Sequence, residues 1–185
     1  MIEYVGKQLL ISKLDAAKRQ LETVIELYFS HKDPVSIHTL TAASYNILRD
    51  LNKSEKHPPL FIKDRFLNYI KPGYEKEVRN LINQAENFFK HADRDREDIF
   101  EFNPKQTELM IYEACDSYRA LSGEFPAKFK CYSMWFSSRY PNLFELPNDY
   151  LDLVMKNQRE VEDDRREIFY SEALSILNKT SMNTS

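Results

Sequence analysis

The chain has 185 residues, of which 42% are hydrophobic, 13% aromatic and 30% charged. This length suits one domain with a full hydrophobic core, and the small number of glycines, three in all, favours a helical protein. The formal net charge of −3 argues against a large non-specific nucleic-acid surface, which needs an excess of basic residues.

No stretch approaches the roughly 20 apolar residues of a membrane span, and residues 1–14 lack the apolar run of a signal peptide. No membrane contact is therefore expected, and a reducing cytoplasm is the expected location. The two cysteines lack metal-ligand spacing, and Cys115 is expected to be a buried free thiol. Phosphate-binding loop and dinucleotide motifs are absent, so no nucleotide cofactor is predicted.

Apolar residues recur at the 3.6-residue spacing of amphipathic helices in several segments. Ser12 is a capping residue at the start of a helix that ends near Ser30, and Asp33-Pro34 starts the next helix. Because the connection between them is short, these two helices are predicted to form an antiparallel hairpin.

The remaining helices follow from the same spacing and from proline and glycine breaks. A short helix is predicted over residues 61–70, and the most regular apolar stripe gives a third long helix over 74–92. Further helices are predicted over about 104–121, 126–139 and 148–178. Together these elements predict an all-α antiparallel bundle of about five or six helices.

The last helical segment has an unusual composition. Residues 156–167 are nearly all charged or amide, and Val161 is their only apolar residue. This pattern is typical of either a solvated bridge or an arm that docks on a partner, and both interpretations stay open. The whole chain is expected to form a single helical domain over 1–185, with a lead segment over 1–11 and a disordered tail over 179–185.

The third long helix contains the candidate functional site, on the face opposite its apolar stripe. That stripe, the predicted core face, comprises Val78, Leu81, Ile82, Ala85, Phe88, Phe89 and Ala92. The opposite face carries Asn80, Gln84, Asn87, His91, Arg94 and Asp98. Amides with an imidazole and an arginine are less ordinary than a Lys/Glu surface. The alternative is a solvated face with a terminal histidine near the negative end of the helix dipole.

Residues 87–91 read Asn-Phe-Phe-Lys-His, an N-x-x-K-H pattern that resembles the motif of HEPN domains. The hairpin over residues 14–51 resembles the opening helices of that superfamily. The strings D-P-V-S-I-H-T-L and K-H-A-D-R-D also resemble an uncharacterised bacterial all-α family. The HEPN resemblance covers about residues 12–98. It implies a small helical bundle that dimerises and, in many members, a metal-independent ribonuclease whose Arg and His meet across the dimer.

The HEPN motif often reads Arg-Asn-x-x-x-His. Asn87 and His91 match it, whereas Glu86 stands where the Arg is expected. A carboxylate there would repel a phosphate and raise the pKa of a nearby histidine. The resemblance therefore implies an inactive relative unless Arg94 or Arg79 substitutes. In an active protein, His91 would be the general acid/base, Asn87 its positioning partner and Arg94 the phosphate contact.

The alternative is a metal-binding bundle that uses His91, Asp95 and His38 as ligands, since carboxylates with imidazoles suit Mn, Fe or Zn. No E-x-x-H pair or H-E-x-x-H pattern supports it. A half-buried, hydrogen-bonded His38 is the simpler interpretation of that residue. The sequence thus predicts a HEPN-like homodimeric module that binds RNA or a protein, has little or no ribonuclease activity and needs no cofactor. A pure protein-interaction module that works through the arm over residues 156–177 is a further interpretation.

Overall fold

The computed structural model describes residues 8–55, 57–93, 96–145 and 158–182. This part of the chain is helical, without a strand, so the predicted all-α fold class is confirmed. The α-helices are α1 (Lys13–Phe29), α2 (Pro34–Ser54), α3 (Glu75–Lys90), α4 (Gln106–Ser122), α5 (Ala127–Arg139) and α6 (Arg166–Met182). Short segments are a π turn (Phe61–Arg65) and 3₁₀ turns (Phe66–Tyr69, Pro141–Leu143, Gln158–Val161 and Asp163–Arg165). No helix of these ranges is both long and apolar enough to cross a membrane.

Side-chain caps fix the first two helix starts. The Ser12 hydroxyl accepts a hydrogen bond from the Asp15 N–H at 3.0 Å, and the Asp33 carboxylate accepts one from the Ser36 N–H at 2.7 Å. Each cap satisfies a backbone donor that has no partner within the helix. Gly123 ends α4 with a φ of 71°, which is the left-handed conformation that glycine adopts without strain. The caps predicted from the sequence are therefore confirmed.

The core lies between α1, α2, α4 and α5, and large aromatic rings fill its centre. Tyr28 and Phe29 of α1 pack against Tyr132 and Trp135 of α5, with ring centroids 5.2 to 6.0 Å apart. Most of these pairs meet edge to face, the arrangement that the ring quadrupole favours. Cys115 is also fully buried in this core, as predicted.

The C-terminal helix α6 packs on the bundle of its own chain. Tyr170 stacks on Phe29 with centroids 4.6 Å apart, and Val161, just before α6, is buried in the core. The continuous helix predicted over 148–178 is wrong for residues 158–165, where two 3₁₀ turns replace it. Charged residues dominate this part, so it has too little apolar surface to hold a regular helix against the bundle. Residues 148–157 of that prediction lie outside the described residues.

Polar side chains fasten the connection between α2 and α3 to the bundle. Glu113 of α4 accepts hydrogen bonds from the backbone N–H groups of Phe61 and Ile62, the latter at 3.1 Å. Arg49 of α2 donates to both carboxylate oxygens of Asp64 at 2.5 to 3.0 Å. The short helix predicted over 61–70 is therefore a π turn followed by a 3₁₀ turn, held by side chains from two other helices.

A buried ion pair docks α3. Lys63 and Glu86 are 5% and 8% exposed, and the Lys63 Nζ lies 2.5 Å from the Glu86 Oε2. Asn46 of α2 accepts from the Lys63 Nζ at 2.9 Å and donates to the Glu86 Oε1 at 2.6 Å. Lys90 donates to the same Oε1 at 2.7 Å. Each of the paired charges thus has at least two hydrogen-bond partners, and the burial of a charge requires such partners.

The Lys63→Met variant tests how much this ion pair contributes to the free energy of unfolding. Its loss leaves a buried carboxylate without its closest cation, so the free energy of unfolding should fall by about 3 kcal/mol in urea denaturation. The Lys63→Met/Glu86→Leu double variant should recover most of that loss, because no unpaired charge remains.

The control is Lys90→Met, which removes a cation from the same carboxylate at a one-third exposed position. That change should lower the free energy of unfolding by less than about 1 kcal/mol, since solvent screens the pair. Equal losses of unfolding free energy in Lys63→Met and Lys90→Met would contradict the conclusion that Lys63 is the main partner of Glu86.

Candidate functional site

Helix α3 lies at the edge of the bundle, against α2 and the connection that follows it. Ala85 and Glu86 are its only buried residues. The predicted core stripe is wrong for Leu81, which is 61% exposed, and for Ala92, which is exposed and lies beyond the end of α3 at Lys90. The reason is that α1, α2, α4 and α5 complete the core, so α3 covers it with a narrow line of side chains only.

The outer face of α3 and the chain that follows it form an open groove of about 450 Å³. We name this surface the α3 groove. Its lining residues are Glu77, Asn80, Leu81, Gln84, Asn87, Phe88, Asp98, Ile99 and Phe100. The predicted amides and Asp98 are therefore brought together on one surface, beside apolar residues that the sequence assigned to the core or to no role.

Aromatic contacts hold the chain after α3 in place. The Phe100 ring lies 5.3 Å from Phe88, and the Phe102 ring lies 5.1 Å from Phe89, both between centroids. The connection to α4 therefore returns along the C-terminal half of α3. This return places Ile99, which is 95% exposed, at the side of the α3 groove.

Two of the three predicted catalytic residues, Asn87 and His91, lie in the described part of the chain. Asn87 lines the α3 groove, whereas His91 caps the end of α3 with an extended backbone, is exposed and does not line the groove. Among the described residues no hydrogen bond links the side chains of Asn87 and His91. Arg94 lies outside the described residues, so its role as a phosphate contact stays a prediction.

The carboxylate of Glu86 points away from the α3 groove and into the bundle. Burial raises its pKa, but hydrogen bonds from Lys63 and Lys90 outweigh the burial and hold the pKa of this carboxyl below its usual value. The carboxylate is therefore an internal partner of two lysines. The sequence predicted that Glu86 would repel a phosphate at the outer face of α3. The carboxylate does not lie at that face, because it is paired with Lys63 and Lys90.

The charge of Glu86 acts on the pKa of His38. Its ring is 2% exposed, its Nδ1 lies 2.8 Å from the Thr107 hydroxyl, and the Phe89 and Phe102 rings cover it. Burial lowers the pKa of His38 to about 4, although the carboxylate of Glu86 raises it. His38 is therefore neutral at physiological pH. The interpretation of it as a hydrogen-bonded residue is confirmed, but it is almost fully buried where the sequence predicts half-burial.

Two of the three predicted metal ligands, His38 and His91, lie in the described part of the chain. The described residues contain no group of three or more His, Cys, Asp or Glu side chains placed to hold a metal ion. Aromatic rings enclose His38, His91 is exposed at the end of α3, and Asp95 lies outside the described residues.

Sequence reasoning missed the buried polar residues that position α3. Lys63 and Glu86 are 23 residues apart, and Asn46 comes from a third element, so no local spacing connects them. The one local signal is a charged triplet, Lys63-Asp64-Arg65, inside an otherwise apolar and aromatic stretch. Two of those three charges bind side chains of other helices.

No protein-family model, curated protein or solved structure matches this chain. The chemistry of the α3 groove is therefore read from its lining. Three amides supply both donors and acceptors, four side chains supply apolar contacts, and Glu77 and Asp98 supply negative charge. No cation lines it among the described residues. This composition suits a polypeptide better than a phosphate backbone, which requires Lys or Arg.

The low pKa of His38 predicts an acid-sensitive fold. The unfolded chain binds a proton near the ordinary imidazole pKa of about 6.5, whereas the folded chain binds it only near pH 4. Stability is therefore lost as the pH falls through this window. Between about pH 7 and about pH 5 the free energy of unfolding should drop by about 2 kcal/mol from this group.

Urea denaturation at the two pH values measures the drop. The His38→Asn variant is the control, because its amide can still reach the Thr107 hydroxyl and does not titrate. A drop of the same size in His38→Asn would assign the acid sensitivity to other groups.

Proposed function

We propose that this chain is a HEPN-like helical bundle of the bacterial cytoplasm that acts as a protein-interaction module. In this proposal two copies pair through their α3 grooves. The observation that carries it is a patch of exposed apolar side chains along the α3 groove. Leu81 and Phe88 come from α3, and Ile99 and Phe100 come from the chain that returns along it. Contiguous exposed apolar surface is a feature of interaction sites rather than of free protein surface.

The charges at the α3 groove favour a protein partner over RNA. Glu77 and Asp98 would repel phosphates, and Lys90 at the end of α3 is already bound to Glu86. Amide side chains donate and accept hydrogen bonds equally well, so Gln84 can pair with Gln84 of a second copy. A surface that is rich in amides is therefore self-complementary.

The spacing of the outer face also suits a two-fold axis. Four α3 residues of the groove lie three or four residues on either side of Gln84, so two antiparallel α3 helices would meet about this residue. They are Asn80, Leu81, Asn87 and Phe88. Leu81 would then lie opposite Asn87 of the second copy, and Glu77 would lie opposite His91. The carboxylate and the imidazole attract each other when the histidine is protonated.

The size of this surface predicts a weak dimer. Helix α3 has 16 residues, and such a helix is about 24 Å long. A contact between two helices of this length lies at or below the lower limit of stable interfaces, about 1,200 Å² in total. Pairing should therefore depend on protein concentration, which suits a module that exchanges a second copy for another partner.

Analytical ultracentrifugation tests the proposed pairing. Between about 1 and about 200 µM the native protein should shift from monomer to dimer, as a weak interface requires. The Leu81→Glu variant should stay monomeric, because it places two carboxylates in the centre of the contact.

Leu143→Glu is the matched control, since Leu143 is 63% exposed but lies after α5 and away from the α3 groove. Its sedimentation should match that of the native protein. A native chain that stays monomeric, or dimers that persist in Leu81→Glu, would contradict the proposed pairing.

A second experiment tests the absence of ribonuclease activity in this proposal. Mixed RNA incubated with the protein, with and without EDTA, should remain intact, because no cation lines the α3 groove beside Asn87 among the described residues. Cleavage that survives EDTA and disappears in His91→Ala would instead identify a HEPN-type ribonuclease. Cleavage that requires a divalent metal would favour the acidic residues after α3.

A further inference from the structure

A second cavity, independent of the α3 groove, lies between α1, the start of α4 and α6. Its volume is about 260 Å³. The polar and charged side chains among its lining residues are Tyr28, Lys32, Asn103, Lys105, Thr107, Glu108, Asp163 and Arg166. We name it the Glu108 cavity. Two of its charged groups, the Glu108 carboxylate and the Arg166 guanidinium, are incompletely paired.

The first is the carboxylate of Glu108, which is buried at the first turn of α4. It accepts hydrogen bonds from the Tyr28 hydroxyl at 2.8 Å and from the Tyr140 hydroxyl at 2.5 Å. Burial raises the pKa of Tyr140 to about 12 and raises that of Tyr28 still further, so both phenols keep their protons. No described Lys, Arg or His forms an ion pair with Glu108.

The second is the guanidinium of Arg166. Its Cζ lies over the Tyr28 ring, 4.4 Å from the centroid, where the ring face attracts the cation. Its Nε is buried and has no hydrogen-bond acceptor among the described residues. Asp163 also lines the cavity, but it lies 3.9 Å from Arg139. Buried polar groups without partners are uncommon, and each one calls for an explanation.

One small molecule can satisfy both groups. We propose that the Glu108 cavity binds a free α-amino acid, whose ammonium donates to Glu108 and whose carboxylate accepts from Arg166. Lys32 and Lys105, exposed at the rim, add positive charge for the carboxylate. The volume corresponds to roughly nine water molecules, so the cavity fits amino acids with small side chains.

Isothermal titration calorimetry on the full chain tests the site with glycine, L-alanine and L-serine. At least one of these amino acids should bind. Methylamine and acetate, which carry only the ammonium or only the carboxylate, should bind more than about tenfold more weakly, because each leaves one charge of the site unpaired. The proposal is overturned if no amino acid binds at about 10 mM. It is also overturned if acetate binds as tightly as the amino acids, which would indicate a simple anion site.

Variants locate the binding. Arg166→Gln should weaken it by more than about tenfold, since a hydrogen bond to a charged group is lost. Arg165→Gln is the matched control, because the Arg165 guanidinium pairs with Glu160 at 2.7 Å and does not line the cavity. Glu108→Gln should weaken binding as well, provided that its circular dichroism matches that of the native protein. Equal affinities in Arg166→Gln and Arg165→Gln would overturn the assignment.

Discussion

The buried contact between Lys63 and Glu86 determines where α3 lies and which of its faces remains open. Two charges removed from water are stable only when each is paired and hydrogen-bonded, and Asn46 supplies the remaining partners. This requirement restricts the rotation of α3, because the hydrogen bonds of the pair tolerate little change in distance or angle. The amides, Leu81 and Phe88 consequently face outwards.

The same contact explains why a helix with a regular apolar stripe is only partly buried. The core closes between the other long helices, and α3 reaches it through Ala85 and a polar anchor. Phe88 and Phe89 of the stripe pack against the chain segment that connects α3 to α4. Leu81 and Phe88 also line the α3 groove. One helix thus contacts the bundle on its inner side and lines the α3 groove on its outer side.

Local rules predicted much of this architecture. Ser12 and Asp33 cap their helices as their sequence positions indicate, because a cap involves residues only three apart. Periodicity identified the outer face of α3, and it placed Asn80, Gln84 and Asn87 together. It could not show that Leu81 would be exposed, since that depends on which helices complete the core.

The long-range polar contacts were beyond prediction from one sequence. Lys63 looks like a surface residue of a short helix, and Glu86 looks like a departure from a catalytic motif, yet each is explained by the other. The same holds for Glu108, whose tyrosine partners come from α1 and from the residue after α5. Pairs of this kind are set by tertiary packing, so no spacing rule reveals them.

Disulfide trapping through Gln84→Cys tests the central claim, that two α3 grooves meet about a two-fold axis. At this position a single cysteine would lie opposite its copy, within the Cα separation of about 4.4 to 6.8 Å that a disulfide needs once the helices touch. Cys115 and Cys131 are buried and stay out of the reaction. The account predicts a covalent dimer under mild oxidation for Gln84→Cys and little for Leu143→Cys. Equal trapping of both variants, or none, would contradict it.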